Sequence, residues 1–143
     1  MKRQGPFRVG RTFLFRLEKG SDLLEGLASF CVGHKVRCAT ISLIGAVTEA
    51  RIGYYEQVKR VYVQKTLRGE LEILHCVGNL SLKDGKPFPH LHISLGDTRF
   101  RMWGGHLFPG SKVFAAEVCV TELRGPARVR GLDPETGLSL WPL

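Results

Sequence analysis

At 143 residues the chain suits one domain, 1–143, long enough to bury roughly two thirds of the surface that its unfolded form exposes. Hydrophobic residues at 43% and charged ones at 24% exclude wholesale disorder, and no apolar run approaches the ~20 residues that cross a bilayer, which excludes a membrane partner. The net charge of +8, from 21 Lys and Arg against 13 Asp and Glu, points to a polyanion such as nucleic acid, or only to solubility.

The N-terminus, MKRQGPFRVGR, lacks the apolar core of a signal peptide, so the chain reads as cytoplasmic. Residues 1–10 read as a basic arm leading into a strand at about Thr12 to Leu17. Two segments concentrate positive charge, 1–19 and 51–69, and the candidate phosphate contacts are Lys2, Arg3, Arg8, Arg11, Lys59 and Arg60. A helix follows, capped by Ser21 or Asp22, with Leu23, Leu24, Leu27, Phe30 and Cys31 at helical spacing, and Gly33 helping to end it.

Cys38 to Ile44 reads as a buried strand, after which Gly45 turns the chain into a second strand, AVTEARIGYYE. Val58 to Thr66 alternates in part, so Val61 and Val63 are expected to face inward and Arg60, Tyr62 and Gln64 outward. Tyr54, Tyr55 and Tyr62 interleave with Lys59 and Arg60, a pattern that contacts bases and phosphates or simply forms an amphipathic strand pair. Leu71 to Leu82 is the next strand, and Asp84-Gly85 marks a hairpin turn. Pro87 and Pro89 cannot donate to a ladder, which predicts that the return strand begins at an edge or a bulge.

That return strand carries the sharpest chemical signal. His90 and His92 are two apart, so on a strand both imidazoles face the same way. If the chain turns at Gly96-Asp97-Thr98, His106 comes back beside them, behind Gly104-Gly105. Three convergent neutral imidazoles form a half-shell for a divalent metal, zinc first, with open positions for water or substrate. The other reading is a set of ordinary hydrogen-bonding histidines or a subunit contact. Asn79 and His75 are candidate hydrogen-bond partners to the trio.

Val113 to Leu123 has the apolar density of a central strand, interrupted by Glu117, a candidate fourth ligand or general base if it faces the histidines. Cys31, Cys38, Cys76 and Cys119 are widely spaced among apolar neighbours and read as reduced core thiols. In the tail, 133–143, Asp133 to Gly137 reads as a turn between two short strands.

The succession SDLLEGLASF, ISLIGAVTEARIGYYE, LEILHCVGNLSLKDGKPFPHLHISLGD, WGGHL, FAAEVCVTEL and LDPETGLSL resembles the plant and prokaryote conserved (PPC) domain over about Phe13 to Leu140. The resemblance implies an α+β fold, a mostly antiparallel sheet packed against one main helix, assembled as a homotrimer. Prokaryotic members stand alone and are described as predicted DNA-binding proteins, which makes double-stranded DNA a partner, whereas plant members add an AT-hook. The nearest string here, Arg124-Gly125-Pro126, lacks the arginine between Gly and Pro, so no AT-hook is assigned. His90, His92 and His106 match the family's characteristic histidines. The fold is also similar to that of acetolactate decarboxylase, whose zinc is held by a comparable His-x-His and a later His.

Two functions follow. One is a DNA-binding homotrimer whose basic surface contacts phosphates. The alternative is a metal-dependent lyase or hydrolase acting on a small anionic substrate at the three-His site, with Lys83 or Arg101 orienting a carboxylate.

Overall fold

The structure, a computed structural model, describes residues 5–142; Lys2, Arg3 and Leu143 lie outside the described residues. The elements are β1 (Arg8–Leu17), α1 (Leu23–Gly33), β2 (Ala39–Glu56), β3 (Val61–Lys83), β4 (Lys86–Asp97), β5 (Met102–Leu107), β6 (Lys112–Arg124), β7 (Val129–Leu132) and β8 (Ser139–Leu140). The fold is α+β as expected, with a mostly antiparallel sheet and one helix among the described residues. No helix among them is long and apolar enough to cross a membrane.

The eight strands lie in the order β1-β6-β2-β5-β4-β3-β7-β8, and a further ladder joins β2 to β3. Because β2 also pairs with β5, the strands β2, β3, β4 and β5 close into a ring. All pairings are antiparallel except the short one between β3 and β7.

Helix α1 forms where the apolar stripe predicts it. Asp22 caps it: Oδ1 accepts from the backbone N–H of Leu24 (3.0 Å) and Glu25 (2.9 Å). The other carboxylate oxygen accepts from the backbone N–H of Gly110 and Ser111, which ties the helix start to the loop before β6. Leu23, Leu27 and Cys31 are fully buried in a core shared with Leu91, Leu95, Leu107, Val113 and Val120.

Four expectations need correction. Gly45 is no turn: β2 runs straight through it, with a bulge in its pairing to β3 between Leu43 and Gly45. Its φ of 139° belongs to glycine, and a side chain there would overlap the Ala115 carbonyl of β6. The strands expected at 58–66 and 71–82 are one strand, β3, which begins at Val61 after a turn and shifts register against β2 on the way. Val61 and Val63 are exposed, because the outer ends of β2 and β3 project as a two-stranded hairpin beyond the core. Strand β1 also begins at Arg8, earlier than Thr12, so residues 8–10 of the basic arm belong to the sheet.

The β3–β4 turn is built as predicted, with Asp84 at φ 50° and Gly85 at φ 76°, the left-handed pair that suits the strands' twist. Pro87 and Pro89 pair with Leu82 and Leu80, in the stretch of β4 that lies before its ladder to β5 begins at His92. Their missing donors are therefore needed by no neighbour.

Candidate metal centre

Register brings the histidines together. His92 pairs with Val77 on β3 and directly with His106 on β5; His90, two residues earlier, pairs with Asn79. The ring centroids are 5.4 Å apart for His90 and His92, 5.0 Å for His90 and His106, and 5.5 Å for His92 and His106. One nitrogen from each ring lies within 4.8 Å of the others. A tetrahedral ion with bonds of about 2.1 Å holds its ligand nitrogens about 3.4 Å apart, so modest ring rotation closes the trio.

The donor chemistry fits. His106 Nδ1 is buried and has no hydrogen-bond partner among the described residues, an arrangement that costs about 1–3 kcal/mol and that an ion would relieve. Burial, then the charges of Arg130, His106 and His92, push the His90 imidazole down to about 4. Burial, then His92 and Arg130, push His106 to about 4 as well. Both rings are therefore neutral near pH 7, the form that ligates. His92 is the exposed member of the trio.

His90 and His106 line a cavity of about 870 Å³ with Tyr62, Lys83, Phe108 and Arg130. Tyr62 and Phe108 pack on His106, with centroids at 5.1 and 4.7 Å. Lys83 lines this cavity, whereas Arg101 is held by Asp97 (2.8 Å) at the β4–β5 turn. The C-terminal segment forms one wall. Arg60 donates to the carbonyls of Pro134 (3.3 Å) and Glu135 (2.8 Å), and the Tyr55 hydroxyl donates to that of Thr136 (2.8 Å).

Sequence reasoning missed Arg130. Its guanidinium, on a residue only 8% exposed, donates to Ser81 Oγ (2.9 Å), Asn79 Oδ1 (2.9 Å) and the Ser139 carbonyl (3.1 Å), and stands 3.2 Å from His90 Nδ1. Asn79 thus touches this arginine, and His75 lies elsewhere. The only signal was an arginine within RVRGL, a short stretch with no acidic residue of its own.

Glu117 does not reach the trio. Register sets it opposite Ile44 and Arg16, in a separate cleft of about 540 Å³ that also contains His75 and Cys119. Glu117 stands beside Ile44 of β2, whereas His106 stands beside Gly53 of the same strand, nine residues further on, roughly 30 Å at about 3.3 Å per residue.

The basic candidates are spread out and partly engaged. Arg11 forms a two-pronged pair with Glu122 (2.9 Å each) and donates to the His34 carbonyl. Lys59 pairs with Glu56 (2.9 Å), and Arg60 holds the tail. Arg8 stands on β1 opposite Arg124. The four thiols are free; Cys31 and Cys76 are buried, while Cys38 and Cys119 are half-buried.

A mostly antiparallel sheet that closes on itself beside one helix, with three histidines converging on one of its faces, defines a small α+β protein with a candidate metal site. The chain belongs to the Plants and Prokaryotes Conserved (PCC) domain family, whose description matches residues 4–124. It is similar to a metal-containing protein of Archaeoglobus fulgidus, with 48% identity over 96% of each chain and a TM-score of 0.91. A plant- and prokaryote-conserved (PPC) protein of Pyrococcus horikoshii shares 39% identity, covering 98% of this chain and 96% of that one, with a TM-score of 0.93. A protein of Ralstonia eutropha JMP134, provisionally named DNA-binding, shares 26% identity over 100% and 99% of the two chains, with a TM-score of 0.82. Acetolactate decarboxylase of Bacillus subtilis shares the fold alone, at 16% identity and a TM-score of 0.56. The bifunctional protein GlmU of Synechococcus is 30% identical over 129 residues; the chain spans about a fifth of its length.

Proposed function

We propose that this chain is a metal-binding protein in which His90, His92 and His106 hold a divalent ion, zinc first. The observation that carries this reading is the convergence of the three rings around a buried, unpartnered His106 Nδ1. The metal-containing relative at 48% identity supports it. When bound, such an ion supplies Lewis acidity toward a carbonyl or a water. Lys83 brings positive charge to the adjoining cavity, which favours a small anionic substrate for a lyase or hydrolase. Glu117 is too far along the sheet to serve as its base. The test is metal analysis of protein purified without an affinity tag and offered Zn²⁺: one ion per chain is expected, with loss in His92→Ala. An unchanged metal content in that variant would remove the proposal.

A second reading is DNA binding by a homotrimer in the cytoplasm. The +8 charge and the provisionally DNA-binding relative favour it. Lys2, Arg3, Arg8, Arg11, Lys59 and Arg60 are its phosphate-contact candidates, although Arg11, Lys59 and Arg60 are engaged within the chain. Exposed apolar residues on the outer sheet, Leu14, Ile44 and Val77, support self-association. Duplex binding that weakens steeply with salt, by a species of three chains in sedimentation, is expected; salt-independent binding counts against it.

A further inference from the structure

Arginine carries five N–H donors, has no acceptor and stays charged in proteins. The 3.2 Å approach of Arg130 Nη2 to His90 Nδ1 is therefore a hydrogen bond in one direction only, with His90 Nδ1 accepting. A cationic ring, with N–H at both positions, would set donor against donor. The contact as it stands requires Nδ1 unprotonated and the ring's N–H on Nε2.

Neither nitrogen of that ring is free for an ion. The Nδ1 lone pair is taken by Arg130, and Nε2 bears the proton. Ligation through Nδ1 requires the arginine to leave. Ligation through Nε2 requires the proton to move to Nδ1, where it would confront the same guanidinium. Metal-binding histidines usually donate their second N–H to a carboxylate, a carbonyl or water; His90 instead faces a cation.

This contact is held from every side. Ser81, Asn79 and the Ser139 carbonyl accept from Arg130, and the rings of Trp141 (5.1 Å) and Phe88 (5.6 Å) flank it. Arg130 also lies beyond residues 4–124, the part of the chain that the family description covers.

We propose that Arg130 is a built-in competitor of the metal at His90, so that uptake of the ion and release of the guanidinium from the ring are one event. This rests on the metal reading of the trio. The ion is consequently held loosely, and its arrival frees a tail residue that also grips the Ser139 carbonyl.

The test compares Zn²⁺ affinity, by competition with a chromophoric chelator, in the wild-type chain and in Arg130→Gln, whose side-chain oxygen can accept from His90 Nδ1–H. At least tenfold tighter binding by the folded variant is expected. Equal or weaker binding by the folded variant, with the wild type still loading, overturns the competitor role and leaves the metal site standing. No binding by either chain sinks both. Should Arg130→Gln fail to fold, the wild-type chain decides alone. Nitrogen-15 NMR of the metal-free protein is expected to show His90 protonated at Nε2, with the Arg130 side-chain signals moving on addition of Zn²⁺. A proton on Nδ1, or arginine signals that stay fixed as the metal loads, overturns the proposal.

Discussion

His92 and His106 face each other directly across the β4–β5 ladder, so two of the three candidate ligands are fixed by strand pairing and not by loop conformation. Replacing His106 with Ala should therefore weaken divalent-metal binding on the order of a hundredfold or more, since one of three ligands is lost. The same change opens a gap beside Tyr62 and Phe108. Thermal melting of the metal-free variant should show a loss of about 1–2 kcal/mol. Undiminished metal affinity would mean that the ring is not a ligand.

Gly78 pairs with Leu91, and a methyl group on it would overlap the His90 carbonyl oxygen. Backbone cannot step aside as a side chain can, so Gly78→Ala should cost about 3 kcal/mol and displace His90 from the trio. Gly96→Ala is the control, because its added methyl meets only Leu74 carbons at 3.5 Å or more. That variant should lose less than about 1 kcal/mol. Equal losses in urea unfolding would refute the distinction.

Acid should destabilise the metal-free fold. The His90 and His106 rings sit at about 4 in the folded chain, below the unfolded value near 6.5. Above pH 6.5 both states are neutral and the pair has no effect. Between 6.5 and 4 the unfolded chain binds more protons, so stability falls as pH falls. Discounted for screening through the open cavity, the combined loss is about 2–3 kcal/mol. Denaturant midpoints measured from pH 7 to pH 4 should decline in the wild type and flatten in a His90→Gln/His106→Gln double variant. A wild-type midpoint that does not move across this range would contradict the assignment.

Asp22 serves two structures with one carboxylate, the start of α1 and the loop before β6. Asp22→Ala should cost about 2 kcal/mol, at the upper end for a helix cap, and Asp22→Ser should recover only the helix part. Chemical denaturation of the two variants would distinguish this from an ordinary cap, for which Ser would restore nearly everything.

Where local chemistry decides, the sequence was readable. A cap at Ser21 or Asp22 and the Leu23, Leu27, Cys31 stripe marked the helix, Asp84-Gly85 marked the hairpin, and the two-residue spacing of His90 and His92 set them on one face. Gly45 misled because a glycine signals a turn and a bulge alike; what requires a glycine there is the Ala115 backbone, seventy residues away, which leaves no room for a side chain. Alternation at Val61 and Val63 carried no information about depth, since their face of the hairpin meets solvent while Tyr62 turns to the cavity. Arg130 reaches the site through a parallel pairing of Leu82 with Val129, and nothing local to either segment announces it. Glu117 was the converse case: its position in the strand was legible, but its distance along β2 from the histidines was not.

The closed ring of β2, β3, β4 and β5 also governs how the molecule comes apart. No member can peel from an edge without breaking ladders on both sides, so the amides of these four strands, outside the projecting hairpin at 54–66, should exchange with deuterium together, at the free energy of global unfolding. The β7–β8 pair, attached to β3 through two residues, should exchange first. The wall of the cavity that carries Arg130 is thus its hinged side, and entry to the histidines need not disturb the ring that aligns them.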